Sequence, residues 1–238
     1  LTKIGNKHGV GKKAGRFVYT ERVYYPILEN IRYEKLNLLE LGVGDTGASV
    51  KMWKDFLPNS NIYLFDPFFI VDESVTVTPE ELEEYGINVI KGNQLRTEDL
   101  LKIAEEQKKF DIIIDDASHI SDGIQLSLAV LFPFLKPGGK YVVEDIHSAW
   151  DRDARLDGVN SWLDGPVVDQ SIEKVYHRKE INLMDALISL QETGKWASNF
   201  LTEEQKEYLV SNIQKAEFVV DDNVQPNVVV LTKKGLKR

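Results

Sequence analysis

Two short acidic runs carry the most readable chemistry in this chain: Asp115-Asp116-Ala117-Ser118-His119 and Glu144-Asp145. Each follows an apolar stretch that reads as a strand. Each therefore falls at a strand's C-terminal end, the edge of an open parallel sheet where ligands bind. Asp116, Glu144 and Asp145 on neighbouring loops would repel one another, and some would take up protons unless a cation neutralised them. Oxygen donors without sulfur suit a hard divalent ion, Mg2+ or alternatively Mn2+. The competing account is that these acids cap helices and bind water. His119 follows Asp116 closely and is the candidate general base, because histidine exchanges protons near neutral pH. Its competing role is to cap the helix that follows. Of the remaining histidines, His147 lies just beyond Asp145 and is the second candidate.

A second constellation is the run Leu38-Leu39-Glu40-Leu41-Gly42-Val43-Gly44-Asp45-Thr46-Gly47. Glycines let the backbone approach a ligand closely. The N-terminus of a helix predicted at Ala48–Phe56 would aim free N–H groups at the turn. Asp66 ends the next predicted strand, where an acid can accept hydrogen bonds from ribose hydroxyls. This much fits a dinucleotide, S-adenosylmethionine, or tight strand–helix packing alone. The acids Glu40 and Asp45 beside the glycines would repel a diphosphate but attract an ammonium and a sulfonium. S-adenosylmethionine is the expectation, with a dinucleotide the alternative.

These residues need elements to hold them. From residue 36 strands and helices alternate. Strands are expected at Asn37–Leu41, Asn61–Phe65, Asn88–Lys91, Phe110–Ile114 and Lys140–Glu144. Helices are expected at Ala48–Phe56, Pro79–Tyr85, Thr97–Lys108 and Ser121–Leu135, the last closed by Pro137-Gly138-Gly139. Alternation of this kind implies right-handed crossovers and a mainly parallel sheet. Residues 146–200 break the rhythm and contain Trp150, Trp162 and Trp196. Helices at Asn182–Thr193 and Glu203–Asn212 precede two closing strands, Ala216–Asp221 and Asn227–Thr232, joined by a turn around Asn223–Pro226. Residues 1–16 read as a basic, flexible arm or as a lid over a ligand, and 18–31 as a helix disturbed by Pro26. The organisation expected is an N-terminal arm and helix over 1–35, then one domain over 36–238 with a helical insertion at about 146–213.

The formal net charge of −9 argues against sequence-independent nucleic-acid binding, which needs a basic face. No apolar run approaches the ~20 residues that span a bilayer. The chain has no cysteine, which removes disulfides, thiolate metal sites and a cysteine nucleophile, and suits a cytoplasmic location.

With these residues in view, the chain resembles the class I S-adenosylmethionine-dependent methyltransferases over about residues 36–145 and 214–235. That resemblance implies a Rossmann-like α/β fold: a seven-stranded, mostly parallel sheet with an antiparallel last strand and helices on both faces. It makes Glu40, Gly42 and Gly44 the glycine motif, with Asp45 and Ser49 beside it, and Asp66 the ribose acid. Asn93, Gln94 and Asp115 fall where adenine and methionine contacts lie. Asp115–His119, the Leu131–Gly139 segment and Tyr141–Asp145 are similar to a narrower group, the metal-dependent O-methyltransferases of antibiotic sugars and polyketides. This implies Asp116, Glu144 and Asp145 as Mg2+ ligands and His119 as base, with a small-molecule hydroxyl as acceptor. Asn93 departs from the group, in which an acid is common, and Glu21 is a candidate extra catalytic acid. The rival expectations are a metal-independent methyltransferase acting on a carboxylate or amine, a dinucleotide oxidoreductase, and a non-catalytic binding domain. A homo-oligomer and excision from a larger synthase are further expectations.

Overall fold

The computed structural model describes residues 1–11, 18–68, 76–105, 109–146, 181–220 and 226–236. The chain opens with a helix, α1 (Thr2–His8), closed by Gly9 at φ 77°. A helix thus occupies the first half of the arm expected over residues 1–16. Glycine inside a helix is unfavourable, but Gly5 is buried, and a Cβ there would lie 3.1 Å from the Met52 sulfur. Close approach thus explains a helix that propensity opposes. Lys7 and His8 hold Asp55 at 2.7 and 2.9 Å and tie the helix to the domain. Lys12, Lys13 and Arg16 lie outside the described residues.

Residues 18–31 do not form a uniform helix. A π-helical turn (Thr20–Tyr24) runs into α2 (Tyr25–Leu28) and a 3-10 turn (Glu29–Ile31). Pro26 has no N–H to continue an α-helical ladder, and the Tyr25 N–H reaches back five residues to the Thr20 carbonyl.

The sheet is built from β1 (Asn37–Leu41), β2 (Asn61–Asp66), β3 (Asn88–Lys91), β4 (Phe110–Asp115), β5 (Leu135–Val143), β6 (Ile213–Val220) and β7 (Pro226–Lys233). Their spatial order is β3-β2-β1-β4-β5-β7-β6. The pairs β1–β2, β1–β4, β2–β3 and β4–β5 are parallel, whereas β7 is antiparallel to both neighbours. The expected seven-stranded Rossmann-like sheet with an antiparallel last strand is present. Between the strands lie α3 (Ala48–Phe56), α4 (Pro79–Glu84), α5 (Thr97–Glu105) and α6 (Ser121–Leu131), and later α7 (Leu183–Thr193) and α8 (Glu203–Asn212). Capping boxes at Thr78, Asn182 and Thr202 start α4, α7 and α8.

Two boundaries differ from expectation around Pro137-Gly138-Gly139. Helix α6 stops at Leu131, followed by a 3-10 turn at Phe132–Phe134, and β5 begins at Leu135. Leu135 pairs with Phe110 and Lys140 with Ile112, so the Pro-Gly-Gly residues bulge out of the ladder between those pairs. The closing strands also begin earlier than expected, at Ile213 and Pro226. Residues 147–180, which hold His147, Trp150 and Trp162, lie outside the described residues, as does most of the expected 223–226 turn.

Alternation along the strands builds one core on each face of the sheet. Leu39, Leu41 and Ile113 pack on one side with α5, α6 and α7. Leu38, Ile62, Ile112 and Ile114 pack on the other with Trp53, Phe56 and Tyr24. Among the described residues no helix is long and apolar enough to cross a membrane.

Candidate functional site

The parallel register levels the strand ends. Leu41 pairs with both Phe65 and Asp115, and Asp115 with Val143. The residues that follow therefore emerge along one edge. The chain winds outward from β1 to β2 and β3, then restarts at β4 on the other side of β1. The crevice at this switch is the usual binding position in an open α/β sheet. Backbone bonds knit it together: Gly42 N–H donates to Phe65 O at 3.0 Å, Asp116 N–H to Leu41 O at 3.1 Å, and Glu144 N–H to Asp115 O at 3.0 Å.

A cleft of about 380 Å³ opens there. One wall is the glycine turn with Gly44, Asp45 and Ser49. Another is Gly9–Gly11 and Tyr19. Asp116, Glu144 and Asp145 form the end. The charged side chains lining it, among the described residues, are all carboxylates. Such a cleft favours cations and disfavours a diphosphate. Gly44, at φ 56°, has nothing within 4 Å of where a Cβ would stand. Gly42 is different: a Cβ there would meet the Asp116 carbonyl oxygen at 2.1 Å, and its φ is 98°. Its smallness lets the Asp116 loop dock on the turn.

On the turn side, Asp66 accepts from Val43 N–H at 3.0 Å and Phe68 N–H at 2.5 Å, and burial pushes its carboxyl pKa up. It is thus fixed under the turn where the ribose acid is expected. Glu40 is fully buried and accepts from the Trp53 indole at 3.0 Å. Strand alternation turns it into the core rather than along the cleft wall.

On the acid side, Asp116, His119 and Asp145 each offer one ligand atom, all within 4.8 Å of one another. His119 Nε2 stands 3.7 Å from Asp116 Oδ1 and 3.8 Å from Asp145 Oδ2. The carboxylate oxygens of Asp116 and Asp145 are donors that suit Mg2+ or Mn2+, so these acids fit such an ion. Glu144 is 1% exposed, and its carboxylate accepts from the buried Tyr24 hydroxyl. It contributes to the cleft end but stands apart from that cluster of three.

Asn93, Gln94 and Asp115 are not among the cleft-lining residues. Gln94 donates to Asp115 Oδ1 at 2.6 Å and to Ser127 Oγ at 3.0 Å. Its carbonyl accepts from Ser118 N–H at 3.1 Å and Ser118 Oγ at 2.7 Å. Asp115 also accepts from Ser127 and Tyr141, and full burial raises its pKa to about 6 against those bonds. This network braces the 116–120 loop from behind. Asn93 accepts from Leu95 N–H, a local turn contact. Glu21 is exposed and accepts from Thr2 Oγ1 at 2.9 Å, away from the cleft.

Sequence reasoning likened Tyr19-Thr20 to the family's lid but missed that the Tyr19 hydroxyl donates to Asp145 Oδ1 at 2.6 Å, and it missed Tyr24 on Glu144. Their only sequence signal is a pair of tyrosines five residues apart. Backbone strain marks the same edge. The non-glycine residues with positive φ among those described are Phe68 at 52°, His119 at 54° and Asp145 at 52°. Each follows a strand end at the crevice, where such conformations, costing about 1–3 kcal/mol, are typically kept for function.

Comparison with known proteins agrees with this geometry. A family described as "Methyltransferase domain" matches residues 33–215. Mycinamicin VI 2''-O-methyltransferase of Micromonospora griseorubida is 40% identical over 125 residues, covering 50% of this chain and 29% of that protein. A tetracenomycin-C rhamnosyl 3'-O-methyltransferase of Streptomyces olivaceus is 31% identical over 156 residues, 63% of this chain and 37% of its own length. The solved structure of MycE methyltransferase from the mycinamycin pathway, in complex with Mg, SAH and mycinamycin VI, superposes with a TM-score of 0.66. It is 27% identical and covers 98% of this chain and 54% of that one. The chain thus spans well under two thirds of the length of these relatives. Sheet order, switch-point cleft and a family match over most of the sequence lead to one conclusion: the chain belongs to the methyltransferase-domain family, on the class I Rossmann-like fold.

Proposed function

We propose that this chain transfers the methyl group of S-adenosylmethionine to a sugar or polyketide hydroxyl of a natural product, assisted by Mg2+. The observation that carries this is the all-carboxylate cleft at the switch point, with His119 between Asp116 and Asp145. The relatives' activities on macrolide and tetracenomycin sugars support the acceptor class.

The turn at Gly42–Gly44 and the acid Asp66 hold the methyl donor, and Asp45 faces its cationic end. Asp116, Glu144 and Asp145 hold the divalent ion. A divalent ion bound there lowers the pKa of a hydroxyl that it touches. His119 Nε2 takes the hydroxyl proton. The acceptor oxygen then forms its bond to the methyl carbon as the carbon–sulfur bond breaks, and the sulfonium leaves as a thioether. Holding the reactants in line in a dry cleft supplies much of the acceleration. Chelation by EDTA is expected to abolish methyl transfer while leaving S-adenosylmethionine binding intact. Full turnover in chelator would instead support a metal-independent methyltransferase.

A second reading of His119 follows from its position in the cluster: it ligates the ion rather than acting as base. His119→Ala separates the two. Loss of turnover at unchanged Mn2+ affinity marks a base, and loss of Mn2+ affinity marks a ligand.

A further inference from the structure

The segment before the sheet enters the acid site through two phenols. Tyr19 donates to Asp145 Oδ1 at 2.6 Å, and Tyr24 donates to the buried carboxylate of Glu144. Glu144 and Asp145 are adjacent, with the chain turning sharply at Asp145, where φ is 52°. The donors are five residues apart. On an α-helix that spacing places side chains about 140° apart, on different faces. Here the intervening turn is π-helical, with the Tyr25 N–H bonded to Thr20 O. The wider turn brings residues five apart back towards one side.

We propose that this π-helical turn exists to set Tyr19 and Tyr24 as paired positioning residues for the metal-binding acids, fixing which oxygens face the ion. The proposal rests on the metal-assisted reading above. Asp145 shows how it works. Tyr19 occupies Oδ1, and Oδ2 is the oxygen turned towards His119, 3.8 Å away, and hence towards Asp116. Without the phenol the carboxylate loses a contact that limits its rotation, and the freedom gained must be lost again when the ion binds. Tyr24 does the same for Glu144 from a fully buried position, packed against Trp53 with ring centroids 4.7 Å apart. Hydrogen-bond partners of metal ligands characteristically change metal affinity 10–100-fold when removed.

The test is Mn2+ titration followed by electron paramagnetic resonance, on the wild-type chain and on Tyr19→Phe. S-adenosylhomocysteine affinity and the thermal midpoint are measured in parallel. Tyr19→Phe is expected to bind Mn2+ roughly 10-fold or more weakly, with S-adenosylhomocysteine affinity unchanged. Mn2+ affinity within twofold of wild type overturns the role of Tyr19, and so does failure of Tyr19→Phe to fold, because a positioning hydroxyl is dispensable to the fold. Tyr24→Phe is expected to weaken Mn2+ as well and to lower the thermal midpoint. A lowered midpoint with unchanged Mn2+ affinity reduces Tyr24 to a structural residue and overturns the pairing. If the wild-type chain itself fails to bind Mn2+, the metal-assisted reading fails too, an outcome distinct from equal binding by wild type and variant.

Discussion

The two halves of the cleft are made differently. The turn side, at the ends of β1 and β2, is held by its own backbone: Asp66 bonds Val43 and Phe68 N–H groups, and glycines provide the clearance. The acid side, at the ends of β4 and β5, is held by side chains from elsewhere. Gln94 braces the Ser118 loop, and Tyr19 and Tyr24 grip residues more than a hundred positions away. A half that binds a common donor molecule needs only a shaped backbone. A half that must hold converging carboxylates needs external partners to overcome their repulsion.

The largest expected effect falls wholly on the acid side. His119→Ala should lower turnover by about 10²–10⁴-fold if it is the base, with S-adenosylmethionine affinity unchanged by calorimetry. A parallel loss of donor affinity would mean that the halves are not separable. Gly42→Ala strikes the seam instead. The 2.1 Å approach to the Asp116 carbonyl forces the loop away, and the positive φ adds strain. We expect a stability loss of about 3 kcal/mol in urea unfolding, with both donor and Mn2+ binding weakened. Gln94→Leu should cost about 2 kcal/mol through the bonds lost at Asp115 Oδ1 and at the Ser118 N–H and hydroxyl. It should lower kcat more than donor affinity, and the reverse split would place Gln94 on the turn side after all.

The smallest effect lies outside both halves and serves as a control. The hydrogen bond from Lys7, foremost, holds the Asp55 carboxyl down at about 2, from an ordinary 3.8. Its contribution is fully present above about pH 4 and is lost as the pH falls towards 2. Partial exposure limits it to on the order of 1 kcal/mol. Asp55→Asn should therefore be less stable than wild type at pH 5. The difference should close near pH 2, with little effect on turnover at neutral pH.

Much of the fold was legible because it is locally encoded. Glu203–Asn212 was read at its observed bounds, where the structure shows Thr202 as the local cap, and the strand ends were marked by acids after apolar runs. The glycine turn was legible for the same reason, since its residues are contiguous. Helix α1 was not, because Gly5 is there for its contact with Met52, which no local propensity reports. Neither was the start of β5, where Pro137-Gly138-Gly139 reads as a helix stop but forms a bulge. At the acid side the residue types were legible, but their division was not. Sequence grouped Glu144 with Asp116 and Asp145, and all three line the cleft end, but Glu144 is the one held from the buried side by Tyr24. That depends on a pairing across 120 residues, which has no local signature.

The position of β7 has a consequence for how the protein comes into being. Ribosomes deliver the chain from its N-terminus, and domains generally fold as units. Every residue proposed for the chemistry has been made once Asp145 emerges. Yet β5, which ends at Val143 just before Glu144, gains its outer neighbour only when residues 226–233 arrive, with Val143 pairing to Val229 and Val142 to Val230. Strand β6, made earlier, pairs in the sheet, among the described residues, through β7 alone. The last strand to be synthesised is thus inserted between two that have waited for it. A nascent chain lacking it carries its acids on an unfinished edge, so assembly of the acid side waits on the synthesis of β7.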